Sequence, residues 1–259
     1  MFRRSRPQRD AESRLTDLAP ILDRMIRKFE LRAQLGDSDR KALLALPYRR
    51  KTMERGQYIV REGAAATTSA LIIDGFAIRH KVTADGARQI LSFHIPGDFI
   101  DLEGSLLASA DHNIQALTRC ELALVPIQAM LDLMDAHPKI ALAMWVDTLV
   151  DASIFREWVV NVGRRDARAR IAHLLCEFAL RLEVAGFAHK EGYELPMTQE
   201  QLADATGLTS VHVNRTLKAL ETTGLVERNK RLVRIPDWAR LVEIAGFNAL
   251  YLHLDQVAA

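Results

Sequence analysis

The densest chemistry in the chain lies in the run Met197-Thr-Gln-Glu-Gln-Leu-Ala-Asp-Ala-Thr-Gly-Leu-Thr-Ser-Val-His-Val-Asn-Arg-Thr-Leu-Lys-Ala-Leu-Glu221. Ser210, Val211, His212, Asn214, Arg215 and Lys218 set hydroxyl, imidazole, amide, guanidinium and ammonium groups beside one apolar contact. Gathered on one helical face, such groups suit hydrogen bonding to base edges in a DNA groove. Two strand-like runs follow at 225–228 and 231–235, joined by Asn229-Lys230. Arg228, Lys230, Arg231 and Arg234 on them would meet phosphates.

These side chains need a rigid mount, and the same run supplies one. Thr198 with Gln201 three residues later is a capping box that opens a short helix. Thr198 and Gln199, at that helix start, and Thr209 further on are counted among the DNA contacts. Leu202 and Ala203 form its buried face, and Gly207 can take the positive φ that ends it. Leu208 fills the corner and Thr209 caps a second helix with Val213, Leu217 and Leu220 as its inner stripe. Small or slim residues at Ala203, Gly207 and Val213 meet the steric demands of a helix-turn-helix. A plain helical hairpin with a polar face is the alternative, and it leaves the basic wing after Gly224 unexplained.

A length of 259 residues suits one large domain or two ordinary ones. Apolar residues at 49% and charged residues at 26% place the chain among globular proteins. A formal net charge of +2 is too small to announce a nucleic-acid binder, so the case rests on local placement. The two cysteines, Cys120 and Cys176, form no C-x-x-C pair, which argues against cysteine-ligated zinc, a four-cysteine iron–sulfur cluster or a disulfide framework. Reduced cysteines and the lack of an apolar h-region after the basic start at 1–10 predict a cytoplasmic protein. No run approaches the roughly 18 apolar residues of a membrane span, so no membrane partner is expected.

Residues 48–125 have a β texture. The short apolar runs 58–60, 70–73, 77–78, 89–93 and 122–125 are punctuated by glycines, with Asp74-Gly75 and Asp85-Gly86 as turns. That spacing predicts an antiparallel barrel or sandwich, preceded by a helical lead-in at 20–46. A short helix at 127–135 and a longer one from Pro138 to about Val162 follow. Leu142, Trp145, Leu149, Ala152, Phe155, Val159 and Val162 make one stripe on it, either a seam between two chains or a face packed on the chain's own barrel. Gly163-Arg-Arg165 breaks the pattern and marks a hinge; Asp166 then caps a helix at 167–182. The predicted organisation is a basic tail (1–20), a β-roll with flanking helices (21–135), a dimerisation helix and hinge (136–165), a winged helix-turn-helix (166–247) and a C-terminal tail (248–259).

With these features in order, the chain resembles the Crp/Fnr superfamily of bacterial transcription regulators from about residue 43 to 239. The resemblance rests on the helix-turn-helix and wing, on Ile72-Ile-Asp-Gly75, on Pro96-Gly-Asp-Phe-Ile100, and on the long helix between the two regions. It implies an α+β fold: an N-terminal cyclic-nucleotide-binding-like β-roll, a dimerisation helix and a C-terminal winged helix. It also implies a homodimer on a palindromic double-stranded DNA site, with RNA polymerase as a further partner if the chain activates.

The departures from the family pattern concern the effector. The cAMP-binding members follow the Gly-Asp-Phe-Ile segment with Gly-Glu-Leu-Gly, and eight residues later have an Arg-Ser pair. Here the segment reads Asp101-Leu102-Glu103-Gly104, and His112-Asn113 occupy the pair's positions. Leu102 stands where the glutamate is expected, and in a strand a one-residue shift to Glu103 would reverse its face. His112 is a poor substitute for a bidentate, permanently charged guanidinium, and Asp111 adds negative charge beside it. Asp98, Leu102, Glu103, His112 and Asn113 are thus candidates for a pocket that does not take cAMP in the usual way. His80, His94, His112, His137, His173 and His189 show no defensible ligand spacing and are expected as surface or supporting residues. No metal or cofactor is predicted, and the effector is unidentified. In the reading helix the family's glutamate position is Val211, while the arginine four residues later is present as Arg215. Arg215 can pair with guanine, whereas Val211 can only pack on a thymine methyl, so the half-site should differ from the best-known one.

Two versions of a regulator fit: a barrel that senses a signal, or a constitutive regulator set by its abundance. A cyclic-nucleotide-binding-like module acting through protein partners accounts for the β-roll but not for the wing or Arg215. An enzyme is the third class. The chain has no P-loop, no Gly-x-Ser-x-Gly elbow and no His-Glu-x-x-His helix, so no enzyme is expected.

Overall fold

The structure, a computed structural model, describes residues 22–187 and 192–254. The expected basic tail 1–20, His189 and residues 255–259 lie outside them. The fold is the expected α+β arrangement of a β-roll, a long helix and a winged helical domain.

The helical lead-in is two helices, α1 (22–30) and α2 (Asp37–Leu44), rather than one. Gly36 caps α2, and its backbone N–H donates to Asp39 at 2.9 Å. The roll consists of β1 (Arg49–Met53), β2 (Tyr58–Val60), β3 (Thr68–Asp74), β4 (Ala77–Val82), β5 (Arg88–His94), β6 (Phe99–Ile100), β7 (Asn113–Ala116) and β8 (Cys120–Pro126). They form two antiparallel sheets, ordered β1-β8-β3-β6 and β2-β7-β4-β5. Side-chain alternation explains why β3 and β8 read as continuous apolar runs. Ala70, Ile72, Leu122 and Leu124 face the inside of the roll, whereas Leu71, Ile73, Ala123 and Val125 face α1 and its Met25 and Phe29. Gly75 turns β3 into β4 at φ 86°, where a Cβ would meet the Arg119 carbonyl at 2.2 Å.

Helices α3 (Ile127–Ala136) and α4 (Pro138–Arg164) follow. The long helix runs through Gly163, because nothing opposes a helical glycine there, and the chain breaks only at Arg165. Ile140, Ala143, Met144, Val150, Ile154 and Trp158 of α4 pack on the chain's own core. The sequence-predicted stripe is divided: Ala152, Phe155 and Val162 are half-buried against the chain's own fold, and the rest is exposed. Trp145, Leu149 and Val159 are 59%, 51% and 72% exposed, and Leu142 is exposed too.

Asp166 caps α5 (Ala167–Val184) by accepting from the Ala169 N–H at 2.8 Å. The expected hinge is a braced corner. Arg165 donates to Glu157 at 2.6 Å and to the Ala245 and Gly246 carbonyls at 3.1 Å each. Beyond it come β9 (Tyr193–Glu194), α6 (Gln199–Thr206), α7 (Ser210–Thr222), β10 (Glu227–Asn229), β11 (Leu232–Arg234) and α8 (Trp238–Ala245). One apolar core joins the β5 side of the roll, α4 and the winged domain. Phe93 of β5 sits 5.6 Å from Trp158 of α4 and 6.1 Å from Phe178 of α5, ring centre to ring centre.

The start of the expected C-terminal tail is structured. Residues 249–252 form a 3-10 turn, Tyr251 donates to Glu177 at 2.7 Å, and the His253 carbonyl accepts from Arg32 at 2.7 Å. Aromatic burial and a buried acceptor draw this segment in, where a tail would leave Glu177 short of a donor. No helix among the described residues is long and apolar enough to cross a membrane.

Candidate nucleic-acid interface and effector cavity

The helix-turn-helix forms with the caps that its sequence encodes. Thr198 Oγ1 accepts from the Gln201 N–H at 3.2 Å, and Gln201 Oε1 accepts from the Thr198 N–H at 2.9 Å. Gly207 ends α6 at φ 63°, and Thr209 caps α7 by accepting from the His212 N–H at 3.2 Å. A Cβ on Gly207 would come within 3.2 Å of Val162, so the corner sits against the end of α4. Arg170 braces it from behind through the Thr206 carbonyl at 2.8 Å.

Val213, Thr216, Leu217 and Leu220 bury the inner face of α7. Ser210, Val211, Arg215 and Lys218 are exposed on the outer face, with Val211 at 78%, while His212 and Asn214 are half-buried. Gln199 is exposed at the start of α6, and Thr198 is half-buried in its cap. One α-helix carrying these donors and one bare methyl pair fits the width of a major groove.

The wing differs from expectation in two ways. Its turn is Lys230-Arg231, one residue late, with Lys230 at φ 55°. Arg228 points back and donates to Glu221 at 2.6 Å, so it ties the wing to α7 rather than standing free for phosphate. Arg231 and Arg234 lie 3.7 and 3.5 Å from Glu194 and Glu227, weak exposed pairs that a phosphate can displace. Lys230, exposed at the tip, has no ion pair among the described residues.

The effector-pocket candidates fall into two places. A cavity of about 640 Å³ opens between β4, β5 and the C-terminal half of α4. Glu103, Asp111 and His112 line it, facing Phe155 and Trp158. Residues Leu102–Ser105 are a 3-10 turn rather than a strand, so the face reversal expected for Glu103 does not arise. Glu103 accepts from Arg79 at 2.8 Å, and Arg79 also lies 3.7 Å from Asp151 of α4. Leu102 packs instead with the α1 core, and Asn113 accepts from the Glu62 N–H at 3.1 Å.

Asp98 is outside this cavity. It bridges α1 and α5, 3.0 Å from Lys28 and 3.3 Å from Arg181, and accepts from the Ile95 N–H at 3.0 Å. Lys28 also reaches Asp147 of α4 at 2.7 Å. Burial pushes the Asp98 carboxyl up, but the two cations outweigh it and hold the pKa at about 2. The residue is a structural anion between elements. The histidines are also more buried than expected: His80, His94, His112 and His173 lie inside. Burial lowers the pKa of His80, His94 and His173, because it disfavours the imidazolium.

Sequence reasoning missed Arg79, the aromatic wall of Phe155 and Trp158, and Arg88. The signal for Arg79 was a charge inside the apolar run Ala77-Ile78-Arg79. No local signal marks Arg88, which reaches Asp204 of α6 from β5.

Residues 169–244 match the Crp-like helix-turn-helix domain family, and residues 50–137 match the cyclic nucleotide-binding domain family. The chain is 30% identical over 200 residues to the nitrogen fixation regulation protein FixK of Bradyrhizobium diazoefficiens, covering 76% of this chain and 82% of that protein. It is 30% identical over 194 residues to the transcriptional activatory protein AadR of Rhodopseudomonas palustris, covering 73% and 75%. The structure of FixK2 from Bradyrhizobium japonicum superposes with a TM-score of 0.71 at 25% identity, covering 83% of this chain and all of that one. With the winged helix-turn-helix, the β-roll and the long helix in the same order, the chain belongs to the Crp/Fnr family of transcription regulators.

Proposed function

We propose that this regulator works as a homodimer joined along α4 and reads a two-fold DNA site through α7. The observation that carries the reading is the pair of faces on α4. One is filled by the chain's own core, and the other shows Leu142, Trp145, Leu149 and Val159 to solvent. A second copy of the same stripe is the occupant that matches it, since a two-fold pairing is self-complementary. Such a dimer would present two copies of α7 about one DNA turn, roughly 34 Å, apart.

Arg215 takes the base-reading role, with Val211 setting a half-site preference of its own. Ser210, His212, Asn214 and Lys218 supply further contacts, and Thr198, Gln199 and Lys230 flank them. Work on DNA fits a chain in the cytoplasm, with RNA polymerase as a partner if it activates. The 640 Å³ cavity beside α4 is where a small molecule would alter the seam, by favouring one dimer arrangement over another. Footprinting of the purified protein across genomic DNA tests the reading. Two protected half-sites one helical turn apart are expected; a single unpaired half-site would overturn it.

A further inference from the structure

We propose that Asp101, Glu103 and His112 bind one first-row divalent metal ion in the wall of the barrel cavity, with Asp111 orienting the imidazole. The proposal does not depend on how DNA is read.

The three side chains each bring one donor atom within 4.8 Å of the others. Local backbone makes this meeting. Asp101 takes a left-handed φ of 61° ahead of the 3-10 turn, which carries its carboxylate back over the turn. Gly104 leaves the room: a Cβ there would stand 2.6 Å from Asp101 Oδ2 and 2.8 Å from Ala66 Cβ. His112 enters from the other side, one residue before β7. The numbers 101, 103 and 112 therefore form no ligand pattern along the sequence, only across the turn.

Among the described residues no hydrogen bond joins the three donors to one another. His112 Nδ1 lies 2.8 Å from Asp111 Oδ1. A carboxylate oxygen can only accept, so His112 Nδ1 is the donor to Asp111. Nε2 then points away from Asp111, as the metal-facing nitrogen does in carboxylate–histidine–metal arrangements. It is buried with no hydrogen-bond partner, and Glu103 Oε1 stands 3.9 Å away, beyond hydrogen-bond reach. Asp101 Oδ1 is likewise buried without a partner, in a residue only 2% exposed. Three electron-rich atoms converging in a closed place repel unless a cation joins them. Of the three, Glu103 is the one that Arg79 hydrogen-bonds.

One imidazole and two carboxylates suit zinc, iron(II) or manganese(II) better than magnesium or calcium, which prefer all-oxygen sites. Metal–ligand bonds of about 2.0–2.2 Å put tetrahedral ligands about 3.4 Å apart, so the site needs to close by about 1 Å. Glu103 would have to loosen its hold on Arg79, whose other acidic neighbour is Asp151 on α4. Metal occupancy would in this way reach the long helix.

The test is calorimetric titration of Zn²⁺ into the full, chelator-dialysed chain, read against a competing chelator. One ion per chain is expected with a Kd of micromolar or below. His112→Ala and Asp101→Asn should each weaken binding at least 100-fold, and Asp111→Asn by roughly 10- to 100-fold. On the wild-type protein, the His112 Nε2 nitrogen resonance should move on adding Zn²⁺, a readout that needs no variant to fold. The assignment is overturned if no stoichiometric ion binds, if binding survives both substitutions in folded protein, or if His112 Nε2 stays in place.

Discussion

Arg88 of β5 grips Asp204 of α6 with both Nε and Nη2, at 2.8 and 2.7 Å from the same carboxylate oxygen. This pair and the Gln89 bond to the Ala205 carbonyl at 3.4 Å fasten the β-roll directly to the first helix of the DNA-reading unit. A pair at this partial exposure is worth at most about 1 kcal/mol, or up to about fivefold in a binding constant. Arg88→Ala and Asp204→Ala should each weaken DNA binding by two- to fivefold, and the double variant no further, within the precision of gel-shift titrations. Additive losses would show that the two residues act separately.

In the groove, Arg215→Ala should reduce discrimination among sites by about 1–3 kcal/mol, more than it reduces affinity for random DNA. Lys230→Ala should weaken all sites alike and flatten the dependence of log K on log salt by about one unit. Arg228→Ala should change that slope less, because its charge already answers Glu221. Fluorescence anisotropy over a salt series reads all three. Unchanged site preference for Arg215→Ala would show that α7 is misplaced in the groove.

At the seam, Trp145→Asp should weaken dimerisation by at least about 100-fold, since two copies each lose roughly 1.5–3 kcal/mol of burial. The thermal transition of the monomer should hardly move, because Trp145 is 59% exposed within one chain. Sedimentation velocity over a concentration series separates the two effects. A dimer unaffected by the charge would place the interface elsewhere.

His173 makes acid stability measurable. It is enclosed by Phe247 and Tyr251, with Arg165 near and Glu157 at 3.3 Å already held by Arg165. Burial first, then Arg165, pushes its pKa down from 6.5 to about 3. Below pH 6.5 the unfolded chain takes up a proton that the folded chain refuses. The stabilisation is therefore complete above 6.5 and is lost as the pH falls toward 3, at about 1.4 kcal/mol per pH unit. Urea titrations of His173→Gln between pH 6 and 4 should show a slope shallower by that amount. Equal slopes would mean that the imidazole is protonated in the fold.

Cyclic AMP titrated calorimetrically at micromolar concentration should give no binding that His112→Ala removes. The cavity wall at that position presents Asp111 and Glu103, which repel a cyclic phosphate, and His112 cannot form the bidentate contact of a guanidinium. Micromolar binding lost with His112 would overturn this expectation.

The DNA-reading unit was legible because its signals are local. A capping box, a positive-φ glycine and an N-cap act within a few residues, so Thr198, Gly207 and Thr209 announce their geometry without the rest of the fold. Strands β2, β3, β4, β5 and β8 were legible from apolar runs, but β6, β7 and β1 were not; β1, whose Arg49–Thr52 stretch is exposed, is fixed by its pairing with β8. The pocket was the least legible. Glu103 turns toward the cavity because a 3-10 turn replaced the expected strand, and Asp98 leaves it for Lys28 and Arg181. Those outcomes depend on partners 24 to 83 residues away along the chain.

The Arg32–His253 bond joins positions 221 residues apart. During synthesis the first helix is complete long before its partner emerges from the ribosome. The buried guanidinium also meets Asp147, but its contact with the far end waits for residue 253, and contacts of such long range slow folding. The β-roll and the winged domain are thus not beads on a string. An excised DNA-binding half would lose the clasp that shuts the molecule, and loss of the segment that carries His253 would be felt at Arg32.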